Sequence, residues 1–278
     1  MYIGSVSTIP GRLSSLLNVL EKFKEQSRKP DVLLVTIAKY YPRLGKEYPL
    51  EDIRTLETYL ETYPVESHLM HVDVDIGPSV KLTVPLQYLA GREHLHLPNK
   101  SKNDAILIFD DDSVFYEKGV ELLIQAHEKD GSAVYGLMGV IENGDSKDPT
   151  FVHGEFVHDS YVDVDVMGGY RGVLYPIKQL VHDKGVDDDE KLDLIHWVDL
   201  FVEAHQSKNL IAMHDDHIFA YYCSYRKIPK RVIHIPNANG RLFYEPIGNT
   251  DGIFADTNSE VSYKMIQEIV KQFLIVHD

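Results

Sequence analysis

A chain of 278 residues, 44% hydrophobic and 26% charged, can bury the core of one large globular domain and does not have the composition of a disordered segment. Its formal net charge of -15 sets the surface against nucleic acid and anionic lipid, so an anionic ligand is expected only beside a bound metal or a few placed Lys and Arg. Cys223 is the single cysteine, which excludes an internal disulfide and fits a reducing compartment. The opening MYIGSVSTIPGR has no basic leader, and no apolar run approaches the roughly 18 to 20 residues of a membrane helix, so a soluble, cytoplasmic protein without membrane insertion is expected.

The first half alternates strand and helix patterns. Tyr2 to Ser7 reads as a strand closed by Pro10 and Gly11, after which Leu13, Leu16, Leu17, Leu20 and Phe23 recur at helical spacing. Pro30 and Asp31 reset the chain, and VLLVTIA, from Val32 to Ala38, is apolar on both faces, as in a central parallel strand. Glu51 to Tyr63 predicts a helix, and Val65 to Val74 a strand interrupted by His68 and His71. Lys81 to Leu89 predicts a helix despite Pro85, and Ala105 to Phe109 a buried strand. This order predicts an open, mostly parallel α/β sheet flanked by helices, in which ligands bind beyond the carboxyl ends of the strands. The loops after Ser7, Ala38, Val74 and Phe109 are therefore the ones to inspect.

The second half changes character. Ala133 to Ile141 and Phe151 to Val157 predict strands, and YVDVDV, from Tyr161 to Val166, alternates with period two before Gly168 and Gly169 break it. Helices are expected at Glu190 to His205, Asp216 to Arg226 and Ser259 to Ile275. No internal repeat, low-complexity segment or linker divides the chain, so 1–278 is read as one domain with a first half at 1–113 and a second at 114–278.

The segment ILIFDDDS places Asp110, Asp111 and Asp112 at the end of a buried strand, where adjacent carboxylates raise one another's pKa unless a cation or hydrogen-bond donors compensate. Asp187, Asp188 and Asp189 are an internal control, because capping and the helix dipole explain them in their polar setting. For the first triplet two readings stand side by side: Asp112 or Ser113 caps a following helix, or a D-x-D arrangement of hard oxygens holds Mg2+ or Mn2+ together with substrate phosphates. In a strand continuing into a turn, Asp110 and Asp112 would share a side and Asp111 would turn elsewhere, so that the three would bind metal and ribose between them, with Asp110 and Asp111 also on the nucleotide.

LIFDDDSVFY resembles the D-x-D segment of GT-A glycosyltransferases, which use nucleotide sugars and have a Rossmann-like α/β half. SVSTIPGRL, DIGPSVKL at Asp75 to Leu82, MGGYRGVLYP at Met167 to Pro176 and HDDHIFAYYCSYRKIP at His214 to Pro229 resemble further segments of small soluble members, in order and with similar spacing. The resemblance implies that 1–113 binds the nucleotide and that the mixed second half forms the acceptor side. It implies that Thr8, Pro10, Arg12, Lys39 and Tyr40 line the base and ribose pocket, although Arg12 is equally readable as a helix-surface charge. It further implies that Asp75 accepts from uracil or ribose, and that Pro78 to Lys81 begin a helix aimed at the phosphates, against solvent exposure for Lys81. Gly168 and Gly169 would lie beside the donor sugar, or form a plain turn.

Asp215 and Asp216 precede an amphipathic stretch, where inverting members carry a general base at a helix start. Asp216 is chosen over Asp215 by that resemblance, and helix capping competes. His234 would complete a metal shell with Asp112 and Asp110, or pack as an ordinary histidine. The 14 histidines, with His214 and His217 one turn apart, lack a zinc-hydrolase ligand set, and Trp197 reads as helix core before sugar platform.

These readings combine into an inverting glycosyltransferase dependent on Mn2+ or Mg2+. It would move a sugar from a nucleotide diphosphate donor, UDP by default, to a hydroxyl of a glycan or other acceptor. A retaining transferase, a metal-dependent phosphohydrolase with an aspartate nucleophile, and a non-catalytic sugar-nucleotide or glycan-binding module are the alternatives.

Overall fold

The computed structural model describes residues 1–42, 44–92, 104–142, 149–180, 194–195, 197–199, 215–236 and 244–246. Most of the helix expected at 190–205, all of that expected at 259–275, the aspartates at 187–189 and residue 214 lie outside them.

In chain order the first half forms β1 (Tyr2–Ser7), α1 (Leu13–Phe23), β2 (Val32–Tyr41), β3 (Lys46–Glu47), α2 (Leu50–Glu61), β4 (Glu66–Val74), α3 (Val80–Arg92), β5 (Ala105–Ile108), β6 (Ser113–Phe115) and α4 (Gly119–Lys129). The second half contributes β7 (Val134–Gly136), β8 (Met138–Ile141), β9 (Thr150–His153), β10 (Tyr161–Asp163), β11 (Val166–Met167), β12 (Val173–Pro176), α5 (Ile177–Leu180), α6 (Asp215–Tyr225), β13 (Lys230–Ile233) and β14 (Tyr244–Pro246).

Nine strands make the central sheet, in the order β10-β13-β7-β12-β5-β1-β2-β3, with β4 also paired to β2. The β1-β2, β1-β5, β2-β4 and β13-β7 pairs are parallel, while β12 runs antiparallel between β5 and β7. Strands buried on both faces divide their side chains between two cores, as period-two geometry requires. Leu33, Val35, Ile37, Leu107 and Phe109 pack with α1, α2 and α4, and Val32, Leu34, Ile106 and Ile108 pack with α3, α5 and α6. The expected mostly parallel sheet covered by helices is what forms.

Three local expectations need correction. The single strand expected over Ala133 to Ile141 is two: β7 lies in the central sheet, whereas β8 pairs with β9 and β11 in a separate three-stranded sheet. Residues 151–157 end β9 at His153 and continue as a 3-10 turn, Gly154–Phe156, where a Cβ on Gly154 would stand 2.5 Å from the Ile233 carbonyl oxygen. The alternating YVDVDV run is likewise shared: β10 pairs with β13 in the central sheet and β11 with β8 in the small one.

The acidic triplet does not lead straight into a helix. Ser113 begins strand β6, and α4 starts only at Gly119 with Lys118 at its cap position, so neither Asp112 nor Ser113 caps it. Phe109, fully buried, stacks on Phe23 with ring centroids 4.5 Å apart, which seats the residue before the triplet against α1. Among the described residues, no helix is long and apolar enough to cross a membrane.

Candidate active site

Asp110, Asp111 and Asp112 lie in the turn after β5, at the carboxyl end of the parallel strands, and the fold supplies different compensation to each. Asp111 is buried: it accepts from Thr8 Oγ1 at 2.6 Å and from Arg12 Nη1 at 3.1 Å, and its backbone carbonyl accepts from Ser15 Oγ at 2.8 Å. Arg12 Nη1 also donates to Asp112 Oδ2 at 3.1 Å, and Ser113 Oγ to Asp112 Oδ1 at 3.2 Å. Burial pushes the Asp111 carboxyl up to about 6, even though Arg12 and Thr8 favour its charged form. Burial likewise works against the charge of Arg12, but Asp111 and Asp112 overcome it and raise the guanidinium's pKa.

Asp110 faces another way. Its Oδ1 accepts from Lys81 Nζ at 2.5 Å, and the same Nζ lies 2.9 Å from Asp215 Oδ2, at ion-pair distance. Because the triplet occupies a turn and not a continuing strand, alternation does not hold: Asp111 and Asp112 share Arg12, and Asp110 points to Lys81. The Lys81 side chain is only 4% exposed, so the alternative of solvent exposure gives way to an interior cation paired with Asp110 and Asp215. Burial opposes its charge, yet Asp110, Asp215 and Asp216 hold its pKa well above the ordinary lysine value.

Asp215 and Asp216 open helix α6, where the positive end of the helix dipole favours negative charge. Asp215 is buried against Lys81. Asp216 is half-buried, and its Oδ1 accepts from the backbone N–H of Gly169 at 3.1 Å. Burial first, and the neighbouring Asp215 second, raise the Asp216 pKa well above the carboxylate range; burial also raises that of Asp215, against the pull of Lys81. A Cβ on Gly169 would stand 2.8 Å from Asp216 Oδ1 and 3.8 Å from Lys81 Nζ, so glycine is needed for this approach. Gly168 is equally confined, since its Cβ would strike Met138 Sδ.

The fold thus brings Thr8, Arg12, Lys81, the triplet, Gly169 and the acid pair into one connected corner. Other expected residues stand apart from those contacts. Pro10 sits in the turn before α1, and Pro78 in the turn before α3. Lys39 pairs with Asp73 at 2.5 Å on the surface, Tyr40 is 44% exposed, and Asp75 Oδ1 accepts from Gly77 N at 2.9 Å as a local turn. The ring of His234 is engaged by the Val157 carbonyl, and Trp197 is core, its Nε1 donating to Ile218 O at 3.2 Å. His217 stands 4.0 Å from Glu142 Oε1.

Sequence reasoning missed Ser15 and a fully buried pair. Arg171 donates twice to Glu155, through Nη1 at 3.0 Å to Oε2 and through Nη2 to Oε1, and its Nη1 lies 3.1 Å from His153 Nδ1. Arg171 stood inside the segment MGGYRGVLYP, but nothing in the spacing indicated a partner 16 positions away.

Among the described residues, no group of three His, Cys, Asp or Glu side chains forms a ready metal cage. Asp110 and Asp112, with side chains 31% and 35% exposed, fit a different kind of site. One or two carboxylates are enough for Mg2+ or Mn2+ when a diphosphate fills the remaining positions.

No protein-family model matches the chain, and no curated protein matches it. Solved structures do. S. aureus TarS 1-349 in complex with UDP-GlcNAc superimposes with a TM-score of 0.56 at 9% identity, covering 97% of this chain and 65% of that one. S. aureus TarS in a second crystal structure gives 0.51 at 9% identity, covering 92% of this chain and 38% of that one. The chain therefore spans less than two thirds of the length of these relatives. With the sheet order and the site at its carboxyl edge, the likeness gives this chain the GT-A glycosyltransferase fold.

Proposed function

We propose that this protein is an inverting glycosyltransferase dependent on Mg2+ or Mn2+, moving a sugar from a nucleotide diphosphate donor to a hydroxyl of a glycan or other acceptor. UDP is the preferred nucleotide, since the TarS structure that resembles this chain holds UDP-GlcNAc. The observation that carries the reading is the convergence of Asp110 and Asp215, from opposite halves of the chain, on the shared cation Lys81, which sets Asp216, the neighbour of Asp215, beside the acidic triplet.

Asp110 and Asp112 are the residues that would hold the metal, which when bound supplies positive charge to the departing diphosphate. Arg12 and Thr8 do not need to touch the nucleotide in order to matter: by neutralising and orienting Asp111 and Asp112 they keep the turn shaped for that task. Asp216 takes the proton of the acceptor hydroxyl as its oxygen attacks the anomeric carbon on the face opposite the leaving group. The raised pKa that burial gives Asp216 makes it a stronger base than an ordinary carboxylate, and the residue is half-buried where Asp215 is buried. Asp215, buried and paired with Lys81, is the poorer candidate.

The test is incubation with a panel of nucleotide sugars, Mn2+ and simple glycoside acceptors, with product anomers assigned by NMR. Inverted products that disappear in Asp216→Asn support the reading, and retained products would replace it with the retaining alternative. Phosphate-ester hydrolysis without any need for a nucleotide sugar would replace it with the phosphohydrolase.

A further inference from the structure

We propose that Arg171 and Glu155 are a positioning pair that fixes the 168–172 turn and, through the Gly169 N–H, the carboxylate of Asp216. The inference rests on the reading of Asp216 as the base. Arg171 ends the 3-10 turn Gly169–Arg171, two residues from the amide that meets Asp216. One side of the turn is tied by backbone, with Gly168 N donating to Met138 O at 3.0 Å and Gly172 N to Gly169 O at 3.1 Å. The other side is tied by the Arg171 guanidinium, which grips Glu155 with two N–H groups.

Glu155 is itself immobilised. Gly154 N donates to Leu137 O at 2.9 Å, Ile235 N donates to Gly154 O at 2.9 Å, and there is no room at Gly154 for a side chain against β13. A continuous strut therefore runs from β13, through the Gly154–Phe156 turn and the ion pair, to the peptide that meets Asp216. Stability is a poor explanation for such a pair, because apolar groups of similar volume often serve as well or better in a core. What two parallel N–H to oxygen bonds add is a fixed orientation. That matters here, since a displacement of the turn by a fraction of an ångström moves the group that selects which Asp216 oxygen is left for the acceptor.

Arg171→Lys and Glu155→Gln are compared with the unaltered protein for circular dichroism, for exchange of the Gly169 amide by NMR, and for kcat and KM. In a variant that keeps its fold, the Gly169 amide should exchange about tenfold faster or more. Its kcat should fall about tenfold or more, with donor KM held within about twofold. Unchanged exchange at Gly169 overturns the proposal, and so does faster exchange with unchanged kcat. If neither single variant folds, the double variant Arg171→Met with Glu155→Leu, which removes both charges together, is judged by the same criteria. If the unaltered protein transfers no sugar, the reading of the site fails, while Gly169 exchange still decides whether the pair holds the turn.

Discussion

Gly169 and Asp216, 47 positions apart in the chain, meet through a backbone N–H to carboxylate hydrogen bond of 3.1 Å that leaves no space for a β-carbon. Gly169→Ala should therefore push the Asp216 side chain aside and lower kcat by about tenfold or more while the protein stays folded, because the clashing atom belongs to a side chain that can turn. Gly154→Ala should behave oppositely. Its Cβ meets the backbone oxygen of Ile233, so the loss appears in thermal stability instead. Paired melting curves and kinetics separate the two.

Lys81 is the buried cation between Asp110 and Asp215, and removing it leaves the buried Asp215 carboxylate, and the partly exposed one of Asp110, without compensation. Lys81→Met should lower unfolding stability by about 3 to 5 kcal/mol in urea titrations. Adding Asp215→Asn should recover part of that loss, since it removes one of the stranded charges. A loss with no recovery in the double variant contradicts the assignment.

Asp216 carries a pKa raised well above that of the unfolded chain, chiefly by burial. A raised folded pKa means that stability from this group is full below the unfolded value and declines as pH rises through the folded one. Asp216→Asn should accordingly be at least as stable as the unaltered protein near neutral pH, because an amide still accepts from Gly169 N–H and bears no charge. Transfer should fall by about 10²- to 10⁴-fold with donor binding retained. A destabilised Asn variant would contradict this account.

The surface offers the opposite sign. Asp130 is held down to about 2 by hydrogen bonds from Ser132 and by Arg231, whose Nη1 lies 2.7 Å from its Oδ2. A depressed folded pKa gives stability that is present above the unfolded value and lost as pH falls through the folded one. Because Asp130 is largely open to solvent, screening reduces its contribution to about 1 kcal/mol. Asp130→Asn should cost that much at pH 7, and the difference should shrink between pH values of roughly 4 and 2, as read by urea titration across that range.

The parallel half of the fold was legible because its strands are buried on both faces and its helices carry one apolar stripe: VLLVTIA and the leucines of α1 admit few other arrangements. The second half was less so. In YVDVDV the alternation identifies extended chain but not its partner, and the run divides between two sheets. At the site, the position of the triplet could be read, whereas the contacts of Thr8, Arg12 and Lys81 with the carboxylates could not. A sequence shows that a cation stands near carboxylates along the chain, but not whether the fold points it at a ligand or at its own acids. The Arg171 and Glu155 pair carries no sequence pattern, because a buried long-range contact leaves no periodicity behind.

The central claim is that the corner formed by Asp110 and Asp112 holds a nucleotide diphosphate by way of a divalent ion. Calorimetric titration of UDP in Mn2+, repeated in chelator and with Asp110→Ala and Asp112→Ala, tests it most directly. The account predicts binding in Mn2+ that vanishes in chelator and is lost or severely weakened in both variants. Equal UDP affinity with and without the metal, or in folded variants lacking either carboxylate, would contradict it.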